Sequence, residues 1–426
     1  MSHRSTVVTF ALALAGSAAS AQSCPDAAAL TRGFEQPLAT VRYLADDALG
    51  GRLAGTPEER CAGEYIAAQF RRLRLRPGGT GDTYFQELPL ASAINPHAPA
   101  GSGRNVIAVL EGRDPDRKQQ VVVIGAHYDN LGMGGFGSLA PDSRAIHNGA
   151  DDNASGVAAL IEAARVLSIG TRPASTIVFV AFTGEEEGVL GSAYYASHPT
   201  RPLTSTRAML NMDMVGRLGT GTLIVSGTGT AAEWNDILPE AARKHGIIGA
   251  TWRPDGYGPS DHTSFYARDV PVLHFFTNVH VDYHRPSDDW EKVDGEGLKR
   301  VGALVADVAR QVADRPAPLT LVRGAGTPPS ATQSGGAGYG AYLGSIPDFT
   351  PVEFGVKLSG VREGSPADKA GIRSGDTIVG FDDEAVKDLY ALTAQLRKHK
   401  SGDSVRVKIL RDGKETVLTV VLGTRS

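Results

Sequence analysis

The chain has 426 residues, 41% of them hydrophobic and 21% charged, with a formal net charge of −4. That length accommodates two or three domains and a sizeable core. The slightly acidic balance, without a basic run, gives no reason to expect nucleic acid or an anionic membrane surface as a partner.

Residues 1–21 stand apart. Arg4 supplies a short positive region. Val7 to Ala15 is apolar but too short to cross a bilayer, and Ala19-Ser20-Ala21 has the small-x-small form of a cleavage signal. The chain is therefore expected to be exported, to the periplasm or the medium, with Gln22 as the mature start. Gln22-Ser23 lacks the apolar and small residues that precede a lipid-anchored cysteine. No other segment is long and apolar enough to span a membrane. The only cysteines are Cys24 and Cys61. Two cysteines in an exported chain most simply pair, which would tie the N-terminal arm to the first long helix.

Gly50-Gly51-Arg52-Leu53-Ala54-Gly55 reads as a loop. Glu58 to Leu73, apolar at Ala62, Tyr65, Ile66, Phe70 and Leu73, reads as a helix that Pro77-Gly78-Gly79 ends. Asn105 to Leu110 and Val121 to Ala126 read as strands. His127 then falls just past the C-terminal end of the second, the edge where open α/β sheets bind ligands. The Gly-rich stretch Gly132 to Gly137 lacks the Lys-Ser/Thr ending of a phosphate cradle and reads as a flexible rim loop.

Asn153 or Ser155 can cap the next helix, whose stripe is Val157, Leu160, Ile161, Ala164 and Leu167, so Asp152 lies at or just before a helix N-terminus. Thr176 to Phe182 is the near-continuous apolar run of a strand buried on both faces, and Glu185 and Glu186 follow it. Ala208 to Val215, carrying Asp213, and Val270 to Phe276 read as further strands. His274 alternates with apolar neighbours there and reads as core. Leu298, Val301, Leu304, Val305, Val308 and Val312 form the apolar face of a long helix that closes the first domain. Strands alternating with helices indicate an α/β sandwich. From Arg315 to Gly340 the composition shifts to a Gly/Pro/Ser-rich linker. Beyond it Phe354 to Val361, Ser404 to Leu410 and Thr416 to Leu422 read as strands and Asp388 to Arg397 as a helix. The expected divisions are 1–21, 22–314, 315–340 and 341–426.

Five residues at these predicted strand and helix ends have metal-ligand chemistry: His127, Asp152, Glu186, Asp213 and His284. His, Asp and Glu without Cys suit zinc first, with manganese or cobalt behind it. One catalytic zinc needs three protein ligands; two zincs sharing a bridging carboxylate would use all five. Glu185, beside a ligand but free to point elsewhere, is the natural base for a bound water. Asp129 could accept the second imidazole N–H of His127. Each residue also has an ordinary reading. Asp151-Asp152 can cap a helix, and Glu185-Glu186-Glu187 can be a solvated acidic turn. An unpaired carboxylate at Asp213 in a buried strand is harder to explain that way. Ser260-Asp261-His262 has triad residue types, but three consecutive residues cannot form the relay; they read as a loop lining the pocket.

The motifs Gly125-Ala126-His127-Tyr128-Asp129, Gly149-Ala150-Asp151-Asp152-Asn153-Ala154-Ser155-Gly156, Glu185-Glu186 with Gly191-Ser192, Asn211-Met212-Asp213-Met214 and Tyr283-His284-Arg285-Pro286-Ser287-Asp288 occur in one order. With Leu44 to Arg52 ahead of them, they resemble the dizinc aminopeptidases of the bacterial leucine aminopeptidase and aminopeptidase Y type, within the zinc exopeptidase clan. The resemblance spans roughly residues 30–315. It implies an α/β fold with a mixed, mostly parallel sheet between helices, and two Zn²⁺ (Mn²⁺ or Co²⁺ as substitutes). Asp152 would bridge the ions, His127 and Asp213 completing one site and Glu186 and His284 the other. Glu185 would be the general base and acid, Tyr283 would stabilise the oxyanion, and a cis peptide is expected at Asp152–Asn153. The implied substrates are peptides with a free N-terminus. Within the same clan the alternatives are a carboxypeptidase or a single-zinc glutaminyl cyclase; outside it, an inactive peptide-binding protein.

The C-terminal part resembles a bacterial-type PDZ domain, a small domain of strands with one or two helices. Gly355-Val356-Lys357-Leu358, Gly364-Ser365-Pro366-Ala367, Ala370-Gly371-Ile372 and Gly375-Asp376-Thr377-Ile378-Val379 carry that likeness, with Tyr342-Leu343-Gly344 in the carboxylate-binding loop. It implies a peptide or protein ligand taken as an added strand.

Overall fold

A computed structural model describes residues 24–90, 101–135, 137–140, 143–219, 221–323, 341–347, 352, 354–361, 364–387 and 389–423. The expected leader at 1–21 and residues 324–340 of the expected linker lie outside the described residues.

The first domain is built on a nine-stranded mixed sheet. Its strands are β1 (Arg76–Pro77), β2 (Phe85–Pro89), β3 (Ser102–Leu110), β4 (Val121–His127), β5 (Thr176–Phe182), β6 (Thr206–Met212), β7 (Ile224–Ser226), β8 (Thr251–Arg253) and β9 (Val272–Phe276). The spatial order is β1-β3-β5-β4-β6-β9-β7-β8, with β2 also paired to β3. The central run β5-β4-β6-β9 is parallel, and antiparallel pairs flank it at β3–β5 and β7–β9.

The continuous apolar runs of β4 and β5 have a simple cause. Alternate residues serve different cores. Val122, Ile124, Ile177 and Phe179 join the cluster under α2 (Leu38–Leu44), α3 (Pro57–Arg72), α4 (Gly156–Ser168), α6 (Trp234–Lys244) and α8 (Gly295–Asp314). Val121, Val123, Val178 and Val180 join the cluster on the opposite face, under α5 (Leu190–Ser197) and α7 (His262–Tyr266). The short α1 (Ala27–Leu30) packs at the edge of the first cluster. Cys24 and Cys61 are bonded, which fixes the N-terminal arm to α3.

The C-terminal region has its own core, including Leu343, Ile378, Phe381, Val407 and Ile409. Its sheet runs β10 (Ser345–Pro347), β11 (Val356–Val361), β12 (Thr377–Phe381), β14 (Ser404–Arg411) and β15 (Lys414–Val421), with β13 (Glu384–Ala385) paired to β12. Helices α9 (Pro366–Lys369) and α10 (Leu389–Lys398) complete it. Tyr342-Leu343-Gly344 leads directly into β10, an outer strand.

Three expectations shift at element ends. His127 is the last residue of β4 rather than the first beyond it. Strand β6 stops at Met212, so Asp213 lies just past the strand, and its amide reaches back to Phe275 O (3.1 Å). Of the two proposed caps, Asn153 accepts the amide of Gly156 at 2.9 Å, whereas Ser155 makes no capping bond.

Candidate metal centre

The parallel neighbours β5, β4 and β6 end side by side and deliver Glu185-Glu186, His127 and Asp213 to one edge of the sheet. The turn Ala150–Ser155 brings Asp152 over the same edge before α4 begins. The peptide Asp152–Asn153 is cis. The Asn153 side chain ties this turn to the Asp213 segment: Nδ2 donates to Met212 O (3.1 Å) and Oδ1 accepts from Met214 N (3.0 Å). Gly156 is required here, since a Cβ would run into Asn153 Oδ1 and Met212 O. His284 arrives from the loop after β9, where its Nδ1 meets Gly137 O at 2.9 Å and its backbone carbonyl accepts from Leu139 N at 2.9 Å.

The expected residues assemble into two overlapping clusters, His127–Asp152–Asp213 and Asp152–Glu186–His284, with ligand atoms in each within 4.8 Å of one another. His127 Nε2 lies 3.4 Å from Asp152 Oδ1 and 3.4 Å from Asp213 Oδ1. His284 Nε2 lies 3.2 Å from Asp152 Oδ2 and 3.1 Å from Glu186 Oε2. Asp152 thus offers one oxygen to each side. Two ligand atoms bound tetrahedrally to one zinc at about 2.0–2.1 Å sit roughly 3.3 Å apart, so these separations fit a shared ion in each cluster. Glu186 Oε1 is buried with no hydrogen-bond partner among the described residues, a further sign that the set is built for cations.

The electrostatics agree. Burial alone would disfavour a charged His127, but Asp213, Glu185, Asp129 and Asp152 outweigh it and raise its pKa well above the usual imidazole range. His284 is raised in the same way, against burial, by Glu186 and Asp152. Asp152, although buried, is held down by hydrogen bonds to His127 and His284. Burial pushes Glu185 well up, and His127 only partly opposes it while Asp213 and Glu186 add to the rise. Glu185 thus holds a proton more readily than an ordinary carboxylate, which suits a group that must take a proton and then give it up.

Glu185 Oε2 is 3.9 Å from His127 Nε2. Asp129 lies 3.6 Å from His127 Nδ1, beyond hydrogen-bond reach. Its carboxylate instead accepts the amides of Glu185 (3.1 Å) and Glu186 (3.3 Å), fixing the turn that carries both. Tyr283 stacks on His284 with ring centroids 3.8 Å apart and also packs against Met214, Ile224 and Phe276. Burial, reinforced by Asp152, Glu186 and Glu185, raises its hydroxyl well above the ordinary range, so it stays protonated and able to donate.

Sequence reasoning missed several supporting side chains. Arg52 is fully buried and donates to the carbonyls of Tyr128 (2.8 Å), Asn148 (2.7 Å), Gly149 (3.0 Å) and Leu44. Gly51 beside it has φ +72°, and a Cβ there would lie 2.6 Å from the carbonyls of Gly132 and His147. Glu59 on α3 accepts from Gly55 N (3.1 Å) and from the Thr183 hydroxyl; burial pushes it up to about 7. Asp288 accepts the amides of Asp151 and Asp152. The one signal for these was their place inside the quoted motifs or beside them.

Ser260-Asp261-His262 forms no relay, because both ring nitrogens of His262 lack a hydrogen-bond partner among the described residues. The segment is a buried turn that leads into α7. His262 stacks on His274 (centroids 4.5 Å apart) and Asn211 Nδ2 donates to Ser260 Oγ (2.8 Å). His274 is buried, as expected of a core residue, and burial lowers it to about 4.

Residues 105–309 match the model of peptidase family M28 and residues 342–422 that of the PDZ domain; the chain carries both. A probable zinc metalloprotease of Pyricularia oryzae is 41% identical over 115 residues, covering 26% of this chain and 21% of the relative. Aminopeptidase YwaD of Bacillus subtilis is 28% identical over 235 residues, covering 52% of this chain and 47% of the relative. The chain thus spans less than half the length of these curated relatives. Among solved structures, the zinc aminopeptidase BSAP from Bacillus subtilis superposes with a TM-score of 0.52 at 19% identity, over 66% of this chain and 95% of that one. A Bacteroides thetaiotaomicron glutaminyl cyclase superposes with a TM-score of 0.53 at 20% identity, over 68% of this chain and 99% of that one. At such identities these structures support the fold.

Proposed function

We propose that the chain is an exported metallo-aminopeptidase that holds two zinc ions and removes the N-terminal residue of peptides. The observation that carries this reading is the Asp152 carboxylate, with Oδ1 toward His127 and Oδ2 toward His284, each side completed by a further carboxylate. His127, Asp152 and Asp213 would hold one ion, and Asp152, Glu186 and His284 the other. Such ions would supply Lewis-acid polarisation of the scissile carbonyl and acidify the attacking water.

The remaining work falls to the chain's own groups. Glu185 takes the proton of the attacking water. It then passes that proton to the leaving amine as the C–N bond breaks, so the products are a free amino acid and a shortened peptide. The amides bonded to Asp129 keep Glu185 in position. The Tyr283 hydroxyl, kept protonated, donates to the oxygen on which charge develops. The surplus of carboxylates suits a substrate ammonium, which favours an exopeptidase acting on free N-termini. A single-zinc cyclase would need one cluster, and the second complete cluster argues against it.

Residues 22–314 form the catalytic unit in this reading, 315–340 the linker and 341–426 the PDZ domain, which takes a peptide as a strand added to β10. The Cys24–Cys61 bond supports export to an oxidising compartment, and no helix among the described residues is long and apolar enough to cross a membrane.

Hydrolysis of aminoacyl-p-nitroanilides, before and after chelation and zinc restoration, tests the reading. Chelator-sensitive release from free-amine but not N-acetylated substrates is expected. Release from neither, with zinc bound, would refute it. Glu185→Gln should keep its zinc and lose about 10²- to 10⁴-fold in kcat.

A further inference from the structure

The candidate ligands stand on separate segments, and the bridging carboxylate must be held at a fixed distance from His284 for both clusters to share it. Asp288 makes that connection. Its side chain is almost fully buried. Oδ2 accepts both the Asp151 amide (2.9 Å) and the Asp152 amide (3.0 Å), and its own carbonyl accepts the Ala150 amide (3.0 Å). Residue 288 follows His284 by four positions, and its amide closes a turn onto Arg285 O (3.1 Å). The main chain of Asp152 is gripped from its other side as well, since Asn130 Nδ2 donates to its carbonyl. The direction of the Asp152 carboxylate is therefore set through its backbone, and both of its oxygens stay free for ligation.

Oδ1 of Asp288 is held in turn by Arg217 Nη2 (3.1 Å), which also reaches Asp282 (3.4 Å). Arg217 lies four positions after Asp213, and the amide of Gly216 donates to Asp151 Oδ1 at 2.6 Å. One buried network thus joins the segments of Asp152, Asp213 and His284. A carboxylate taken out of water in this way persists only when its lone pairs are met, and two amides and a guanidinium meet them.

We propose that Asp288 is a positioning residue that couples the two ion sites, by fixing the bridging Asp152 against the loop that carries His284. The inference rests on the two-ion reading above. In Asp288→Asn the negative charge is lost and one oxygen becomes an NH₂ group, which must face either the two amides, which it cannot accept, or the Arg217 guanidinium, to which it cannot bond. Both ions should weaken together, because Asp152 serves both.

The test is a zinc titration of metal-free full-length wild type and D288N by calorimetry, with metal counting after dialysis, hydrogen exchange of the segment holding Asp151 and Asp152, and steady-state kinetics. D288N should bind both zincs about 10- to 100-fold more weakly, exchange those amides faster, and lose kcat with KM changed less than about twofold. A residue that only stabilises the fold would lower the melting temperature of the metal-free protein and leave zinc affinity in the folded protein unchanged; that result overturns the proposal. If D288N does not fold, Asp288→Glu decides. It keeps the charge for Arg217 but displaces the oxygens from both amides, and zinc affinity within twofold of wild type refutes the coupling. A wild type that takes up two zincs beside an unaltered D288N overturns this proposal alone. A wild type that takes up none overturns the two-ion reading with it.

Discussion

Replacing Arg52 by Met tests whether the centre is assembled by a buried cation that touches none of the candidate ligands. The guanidinium is wholly buried and donates to four backbone carbonyls, those of Leu44, Tyr128, Asn148 and Gly149. Burial lowers its pKa to about 10, still charged at any working pH. Each carbonyl left without its donor costs about 1–3 kcal/mol. Four such carbonyls together cost roughly 4–12 kcal/mol and removing a desolvated charge returns several of these, so the net loss should be about 3–5 kcal/mol. Arg52→Lys should lose roughly half of that, because one ammonium with three donors cannot span the fork's contacts. Urea unfolding of the full-length chain followed by tryptophan fluorescence measures this. All three tryptophans, Trp234, Trp252 and Trp290, lie in the first domain, so the signal reports that domain alone. The residues that Arg52 holds flank His127 on one side and precede Asp152 on the other. A destabilised but folded R52M should therefore also lose zinc affinity. A loss below about 1 kcal/mol, with zinc binding unchanged, would refute the reasoning.

Glu59 should impose a pH dependence. Its folded pKa of about 7 exceeds the ordinary glutamate value of about 4.5, so the folded state binds more protons between these values. Stability is complete below about pH 4.5 and is lost as pH rises through 7, by about 3 kcal/mol in all. Glu59→Gln should flatten that part of the profile, read as melting temperature against pH; an unaltered slope would count against the assignment. Breaking the Cys24–Cys61 bond, which joins positions 37 apart, by Cys24→Ser should cost about 3–4 kcal/mol by the chain-entropy relation and lower the urea midpoint. Tyr283→Phe should reduce kcat about 10²-fold or more while KM changes little, and full retained activity would leave Tyr283 as a packing residue beside Met214 and Phe276.

How much was legible depended on how local each feature is. His127, Asp152, Glu185, Glu186 and Asp213 each end, follow or open an element with clear periodicity, so their convergence could be anticipated from strand ends; His284 comes from the loop after β9 and was legible only through the motif around it. The alternation of β4 and β5 between two cores also shows in the sequence as unbroken apolar runs. Strands β7 and β8, three residues each, are too short to carry a period. Helix α5 buries Gly191, Ser192 and Ala196, whose small side chains make no stripe. Arg52 ends a quoted stretch, but its burial was not legible, because its partners Tyr128, Asn148 and Gly149 lie 76, 96 and 97 positions away.

The same supporting contacts bear on why the proposed centre would take two ions rather than one. Asp129, Asp152, Glu185, Glu186, Asp213 and Asp261 surround two imidazoles, with Arg52 the one fully buried arginine among the described residues. Burial pushes Glu185, Glu186 and Asp261 upward, and neighbouring carboxylates push each further, which is the mark of negative charge in excess. One divalent cation would leave most of that excess in place. Two would balance four of the six carboxylates, and the supply of further buried carboxylates would keep the centre attractive to an ammonium. The protein tolerates this concentration of charge because its backbone amides are already committed to it. Those of Glu185 and Glu186 point at Asp129, those of Asp151 and Asp152 at Asp288, and that of Gly216 at Asp151. The negative groups are thus held in place by main-chain dipoles, and the ligand oxygens are left facing the imidazole nitrogens across gaps of ligand-pair width.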